Sequence, residues 1–142
     1  MDGNGRWATA RRLPRAMGHR AGGEAVRRTV QACATLGIEC LTLYAFSSEN
    51  WKRDAAEIGD LMGLMRRFID ANLDDMVARH VRLKLLGDHT AFEPDIVRRL
   101  EEAVARTAGG TRTLAVALNY GAQAEIARAA AKAARAGAIT PE

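Results

Sequence analysis

Apolar residues along the chain recur with two spacings, and the two alternate. Val26, Thr29, Val30, Cys33 and Leu36 fall at helical intervals, which predicts a helix over 23–36 with Gly37 as its stop. Residues 38–46 (IECLTLYAF) are rich in β-branched and aromatic side chains and read as a strand. Asp54 with Glu57 three residues on resembles a capping box. It opens a long helix to about residue 79 with Ile58, Leu61, Met62, Met65, Phe68, Ile69, Leu73, Met76 and Val77 on its apolar positions. The cycle then repeats. VRLKLL (81–86) is a strand closed by Gly87-Asp88. Pro94 marks the first turn of a helix reaching about residue 107. TLAVALN (113–119) is a buried strand, and residues 122–136 form an alanine-rich helix ending at Gly137. Residues 1–21 show no clear period and read as loop with a short helix.

Strands that alternate with helices favour an α/β fold, a parallel sheet flanked by helices on both faces. The 142 residues contain no internal repeat and no linker, so they read as one domain, 1–142. No apolar run approaches the roughly 18 residues needed to span a bilayer. No basic-then-apolar leader opens the chain, and the expectation is a cytoplasmic protein. Cys33 and Cys40 have no C-x-x-C spacing and are expected to be reduced, buried thiols.

Charge sharpens this picture. The net charge is +4, yet residues 1–30 hold seven arginines against Asp2 and Glu24. Residues 31–142 hold 14 basic and 15 acidic groups. The positive excess therefore lies in the N-terminal stretch and suits a phosphate-bearing partner. In an open parallel sheet, ligands bind beyond the C-terminal ends of the strands. The loops there are 47–53, 87–90 and 119–121, joined by 2–7. They hold Asp2, Asn4 and Arg6, then Ser47, Ser48, Glu49, Asn50 and Arg53, then Asp88 and Asn119.

The segment MDGNGRWA (1–8) has its own chemistry. Gly3 and Gly5 permit positive φ and a close backbone approach to a ligand. Successive N–H groups in such a turn can cradle a phosphate, and Arg6 adds a charged fork. Asp2 would repel a phosphate unless a cation lay between them, which argues for Mg²⁺. The same residues also read as a Gly-Asn-Gly tight turn beside a solvated aspartate. Asp88 is expected to cap its following loop. Arg27-Arg28, Arg66-Arg67 and Arg98-Arg99 read as solvated helix faces, and His80 and His89 have no matching metal partners.

Taken together, MDGNGRWA, RAMGHRAG (15–22), LTLYAFSSENWKR (41–53) and TAGGTRTLAVALNYG (107–121) closely resemble a cis-prenyltransferase of the undecaprenyl diphosphate synthase, or isoprenyl transferase, type. The resemblance runs in order along nearly the whole chain. It implies a catalytic, Mg²⁺-binding role for Asp2. Gly3, Asn4, Gly5 and Arg6 match the loop that holds the allylic diphosphate. Trp7, Arg15 and His19 match further substrate-binding positions, as do Ser47, Ser48, Glu49, Trp51 and Arg53. Asn50 matches the position assigned as proton acceptor. An amide is a poor base, and by its own chemistry Asn50 suits orienting a water or the second substrate.

The implied reaction condenses isopentenyl diphosphate onto an allylic diphosphate such as farnesyl diphosphate, with a new cis double bond, towards a polyprenyl carrier for cell-wall synthesis. The resemblance also implies a homodimer, a hydrophobic tunnel for the growing chain and peripheral membrane contact through the lipid product. Met62, Met65, Phe68 and Ile69 are candidates for the tunnel lining, and each equally suits an ordinary core. Some positions depart from the family. Asp54 replaces a proline, and Gly121-Ala122-Gln123 replaces Gly-Gly-Arg. The strand usually found before the Asp-Gly-Asn-Gly segment and the C-terminal Arg-x-Ser-Gly-Glu region find no match. This chain is therefore expected to be a fragment with little turnover of its own. Two other readings compete: a non-catalytic diphosphate-binding relative or partner subunit, and a basic nucleic-acid-binding module. Little aromatic content (5%) and no recognised binding motif speak against nucleic acid.

Overall fold

A computed structural model describes residues 3–137. The elements are α1 (Asn4–Thr9), α2 (Arg15–Thr35), β1 (Cys40–Ser47), a 3₁₀ turn (Ser48–Lys52), α3 (Ala55–Ala78), β2 (Val81–Leu86), a 3₁₀ turn (His89–Ala91), α4 (Pro94–Thr107), β3 (Arg112–Tyr120) and α5 (Ala122–Arg135). The three strands form one parallel sheet in the order β1-β3-β2. The central strand is apolar on both faces, with Leu114, Ala115, Ala117 and Leu118 buried, as a strand with neighbours on both sides requires.

Period-2 alternation divides the sheet. Leu43, Val116 and Leu85 share one register row on one face. There the sheet meets α3 and α4 in two joined clusters, one around Phe46, Met62, Phe92 and Ile96, the other around Leu73, Leu83, Ala103 and Leu114. The alternate face differs from the expectation. Cys40, Thr42, Tyr44, Lys84 and Leu86 are exposed there. Helix α5 has no buried residue, and its Ile126 is 68% exposed. Cys40 is thus an exposed thiol and Cys33 a half-buried one, both free, which corrects the buried pair expected.

The N-terminal stretch is more regular than its composition predicts. Helix α2 begins at Arg15 and absorbs the whole RAMGHRAG segment. Glycine weakens a helix by roughly 0.5–1 kcal/mol relative to alanine, so propensity alone places the start too late. Gly18 and Gly22 are buried against α1 instead. A Cβ at Gly18 would lie 2.0 Å from the Asn4 carbonyl oxygen, and one at Gly22 would lie 2.4 Å from Asn4 Nδ2. At the other end of α2, Gly37 takes φ +71° and Ile38 N–H donates to Cys33 O at 2.9 Å, the stop expected.

Helices α3 and α4 are clipped together by ion pairs. Arg66 binds Asp95 at 2.7 Å and also Glu93, Arg99 binds Asp70, and Arg106 binds Asp74 at 2.6 Å. Arg66 and Arg99, expected on solvated helix faces, are therefore also interhelical partners at the surface. Their partners lie about 30 residues away in sequence, beyond the reach of any local pattern.

Candidate functional site

Gly3 has φ +83°, a conformation that suits glycine, and Trp7 N–H donates to its carbonyl at 2.8 Å. Gly5 is helical, so positive φ holds for one of the two glycines expected to show it. Gly5 serves by being small: a Cβ there would stand 2.7 Å from Arg15 Cζ. The α1–α2 contact thus sets residues 3–6 beside Arg15.

A cavity of about 300 Å³ opens at this place. Gly3, Asn4, Gly5, Arg6, Arg15, His19, Asn50 and Arg53 make its polar mouth. Val26, Leu43, Leu61, Leu64, Met65, Phe68, Leu114 and Val116 make its apolar wall, drawn from α2, α3, β1 and β3. Met65 and Phe68 line it as proposed from the sequence. Met62 does not: it is 2% exposed and packed among Phe46, Phe92 and Ile96. Ile69 packs against the core beside it. A second, smaller apolar cavity of about 80 Å³ lies deeper and shares Met65, Phe68, Leu114 and Val116 with the first.

Electrostatics at the mouth centre on Glu57. Its Oε1 accepts from Arg53 at 2.6 Å and from Arg15 at 3.1 Å, and His19 Nε2 lies 3.6 Å away. Asp54 makes no side-chain cap on α3, so Glu57 is not half of a capping box. Desolvation pushes the Glu57 carboxyl up, but the hydrogen bonds from Arg15 and Arg53 outweigh it and hold the group below the usual carboxylate range. Burial pushes the His19 imidazole below its ordinary 6.5, partly offset by the Glu57 charge. The His19 side chain is 10% exposed, and its Nδ1 is buried without a protein partner. Such an atom is costly to leave unpaired, and His19 lines the cavity.

The remaining predicted residues divide. Asn50 lines the cavity and its Oδ1 accepts from Ser47 N–H at 3.0 Å, fixing the turn after β1. Ser48 packs its Oγ against Gly121, where a Cβ would come within 2.6 Å. Ser48 and Glu49 are exposed, and with Ser47 they stand outside the cavity lining. Trp51 is a brace: its indole N–H donates to Asn119 Oδ1 at 2.9 Å, and its ring packs on Phe46 and Phe92. Asn119 Nδ2 in turn donates to Asp88 O at 3.0 Å. Asp88 caps its turn as expected, accepting from Thr90 N–H at 3.2 Å. Trp7 is exposed and carries the Arg11 guanidinium 4.4 Å above its ring, away from the cavity. Asp2 lies outside the described residues. Among the described residues no group of three His, Cys, Asp or Glu side chains could hold a metal ion, and no helix is long and apolar enough to cross a membrane.

Residues 1–141 match the family model described as "Putative undecaprenyl diphosphate synthase". The chain belongs to that family. Isoprenyl transferase from Agrobacterium fabrum is 52% identical across all of this chain and 61% of its own length. The ditrans,polycis-undecaprenyl-diphosphate synthase of Pseudomonas aeruginosa, described as specific for (2E,6E)-farnesyl diphosphate, is 47% identical over 95% of this chain and 54% of its own. The chain thus spans between half and about three-fifths of the length of the curated relatives it matches. Among solved structures, a probable undecaprenyl diphosphate synthase from Campylobacter jejuni superposes with TM-score 0.78 at 30% identity, over 87% of this chain and 60% of that one. Lavandulyl diphosphate synthase from Lavandula x intermedia, solved with dimethylallyl diphosphate, superposes with TM-score 0.88 over 99% of this chain and 62% of that one. At 23% identity it supports the synthase fold alone.

Three residues that shape this candidate site were not singled out for that role from the sequence. Glu57 carried a visible signal, its i,i+4 spacing from Arg53. Gly18 and Gly22 carried another, small residues four apart on one helix face.

Proposed function

We propose that the domain binds an allylic diphosphate in the 300 Å³ cavity and belongs to an enzyme that condenses it with isopentenyl diphosphate. One observation carries this reading: a single cavity joins a cationic mouth to an apolar wall. The diphosphate would sit against residues 3–6, Arg15, His19 and Arg53. The prenyl chain would run along Leu61, Leu64, Met65 and Phe68.

In this reading the C–O bond to diphosphate breaks, a C–C bond forms to isopentenyl diphosphate, and a proton is lost. Arg15 and Arg53 are placed to stabilise the negative charge of the leaving diphosphate, usually the largest catalytic contribution in such a site. His19 Nδ1 would hydrogen-bond a phosphate oxygen. Asn50, whose oxygen is engaged by Ser47 N–H, would donate through its amide NH₂ and orient substrate, in place of the proton-accepting role implied by resemblance. The described residues alone do not make a Mg²⁺ site, because Glu57 is held by Arg15 and Arg53. Asp2, next in the chain to Gly3, would hold the ion together with substrate phosphates, and Mg²⁺ so bound supplies Lewis-acid help to diphosphate departure. Homodimerisation, a cytoplasmic location and contact with membrane lipid through the product complete the proposal.

Calorimetry of this chain with farnesyl diphosphate and with farnesol tests the binding step. The expected result is tight binding of the diphosphate and weak binding of the alcohol. Equal affinity would overturn the reading. Incorporation of labelled isopentenyl diphosphate tests the transfer step, ultracentrifugation the dimer, and vesicle flotation the membrane contact.

A further inference from the structure

Arg15 and Arg53 come from different elements and 38 sequence positions apart, yet both meet one carboxylate oxygen. Two guanidinium groups that close repel each other and would separate into water if nothing held them. Their side chains are 49% and 33% exposed, so water is available to both. Glu57 is more enclosed, at 17% side-chain exposure. It does not line the cavity, whereas both arginines and His19 do. The two arginines, and not the carboxylate, therefore border the cavity. Each arginine uses one of its five N–H donors on Glu57 and keeps four for a ligand.

We infer that Glu57 is a positioning residue, which gathers Arg15 and Arg53 into one preformed cationic pair beside His19, facing the diphosphate. This rests on the proposed function, since it presupposes an anionic ligand in the mouth. Preorganisation of this kind lowers the cost of ordering long side chains when the ligand arrives. The carboxylate adds a negative charge, but it is the guanidiniums that line the cavity. The ligand meets the cations first.

The groups that face His19 are Glu57, Arg53, Arg15 and Asp60. Burial and the two arginines lower its pKa, and Glu57 and Asp60 raise it. Removing the Glu57 charge must lower it further. A merely structural loosening would expose the ring and move it back towards 6.5.

The test compares wild type, Glu57→Gln and Glu57→Asp, with farnesyl diphosphate and farnesol as ligands and circular dichroism to check folding. Glu57→Gln keeps the shape and loses the charge, and is expected to weaken farnesyl diphosphate binding by about tenfold or more while farnesol binding is unchanged. The His19 ring titration, followed by NMR, is expected to move to lower pH. Glu57→Asp keeps the charge one methylene further back and is expected to show a smaller loss, again confined to the diphosphate. Farnesyl diphosphate bound as tightly or more tightly by Glu57→Gln would overturn the inference and leave the proposed function standing. Equal losses for both ligands would overturn it too, as a folding effect. A wild type that does not prefer diphosphate to alcohol would remove the proposed function and this inference with it.

Discussion

Gly18 on α2 lies so close to Asn4 on α1 that a Cβ would stand 2.0 Å from the Asn4 carbonyl oxygen. Nothing in that contact can yield except the backbone. Gly18→Ala is therefore expected to destabilise the domain by about 1–3 kcal/mol, as overpacking does, and to weaken diphosphate binding by displacing residues 3–6. Gly59→Ala is the control, because on α3 nothing lies within 4 Å of the added methyl. It should stabilise by about 0.4–1 kcal/mol through the unfolded chain. Thermal unfolding and calorimetry of both variants check the pair.

Asn119 joins two loops at the sheet's C-terminal edge, accepting from Trp51 and donating to the Asp88 carbonyl. It also has φ +46°, where a β-branched residue is strained. Asn119→Gly removes both hydrogen bonds without strain, and a loss of about 1–2 kcal/mol is expected. Asn119→Val adds the strain and should cost about 1–3 kcal/mol more. Denaturant titration followed by tryptophan fluorescence reads both, since freeing the indole N–H should shift Trp51 emission.

Phe68 stands on the boundary between the 300 Å³ cavity and the deeper 80 Å³ one. Phe68→Ala should join them. If the cavity takes a prenyl chain, the variant should favour longer allylic diphosphates over shorter ones relative to wild type, and Phe68→Trp should do the reverse. The alanine variant should also lose about 2 kcal/mol of stability, less than a fully buried phenylalanine would. Competition binding with allylic diphosphates of rising length checks the order.

The Asp95 carboxyl is held at about 2, from an ordinary 3.8, chiefly by its hydrogen bond from Arg66. A depressed carboxylate contributes stability that is fully present above the unfolded value of 3.8 and lost as pH falls towards 2. Asp95→Asn should lower the melting temperature above the unfolded value of 3.8 and flatten its fall across that window. High salt should shrink the difference, because the pair is at the surface. Melting curves from pH 5 to pH 2 check this, those limits being roughly the linkage window of a paired carboxylate.

Local order was written plainly in the chain. The period of 2 in VRLKLL and the period of 3.6 in the long α3 segment located β2 and α3 to within a residue, because those intervals follow from backbone geometry alone. Pro94 and Gly37 marked their helix ends for the same reason. The motif segments singled out residues 3–6, Arg15, His19, Asn50 and Arg53, and these do converge on one cavity.

What side chains face was not written there. Met62 and Met65 are three apart on the same helix, yet one is core and the other lines the cavity. That division depends on where α2, α4 and the sheet approach α3. Glu57 read as a cap and became the meeting point of Arg15, Arg53 and His19. Trp7 and Trp51, equal in motif, became a surface platform for Arg11 and a brace for Asn119. The physical reason is common to all of these. Periodicity is a property of neighbours in sequence, whereas charge pairing, close packing and cavity walls are set by segments that meet only when the chain has folded.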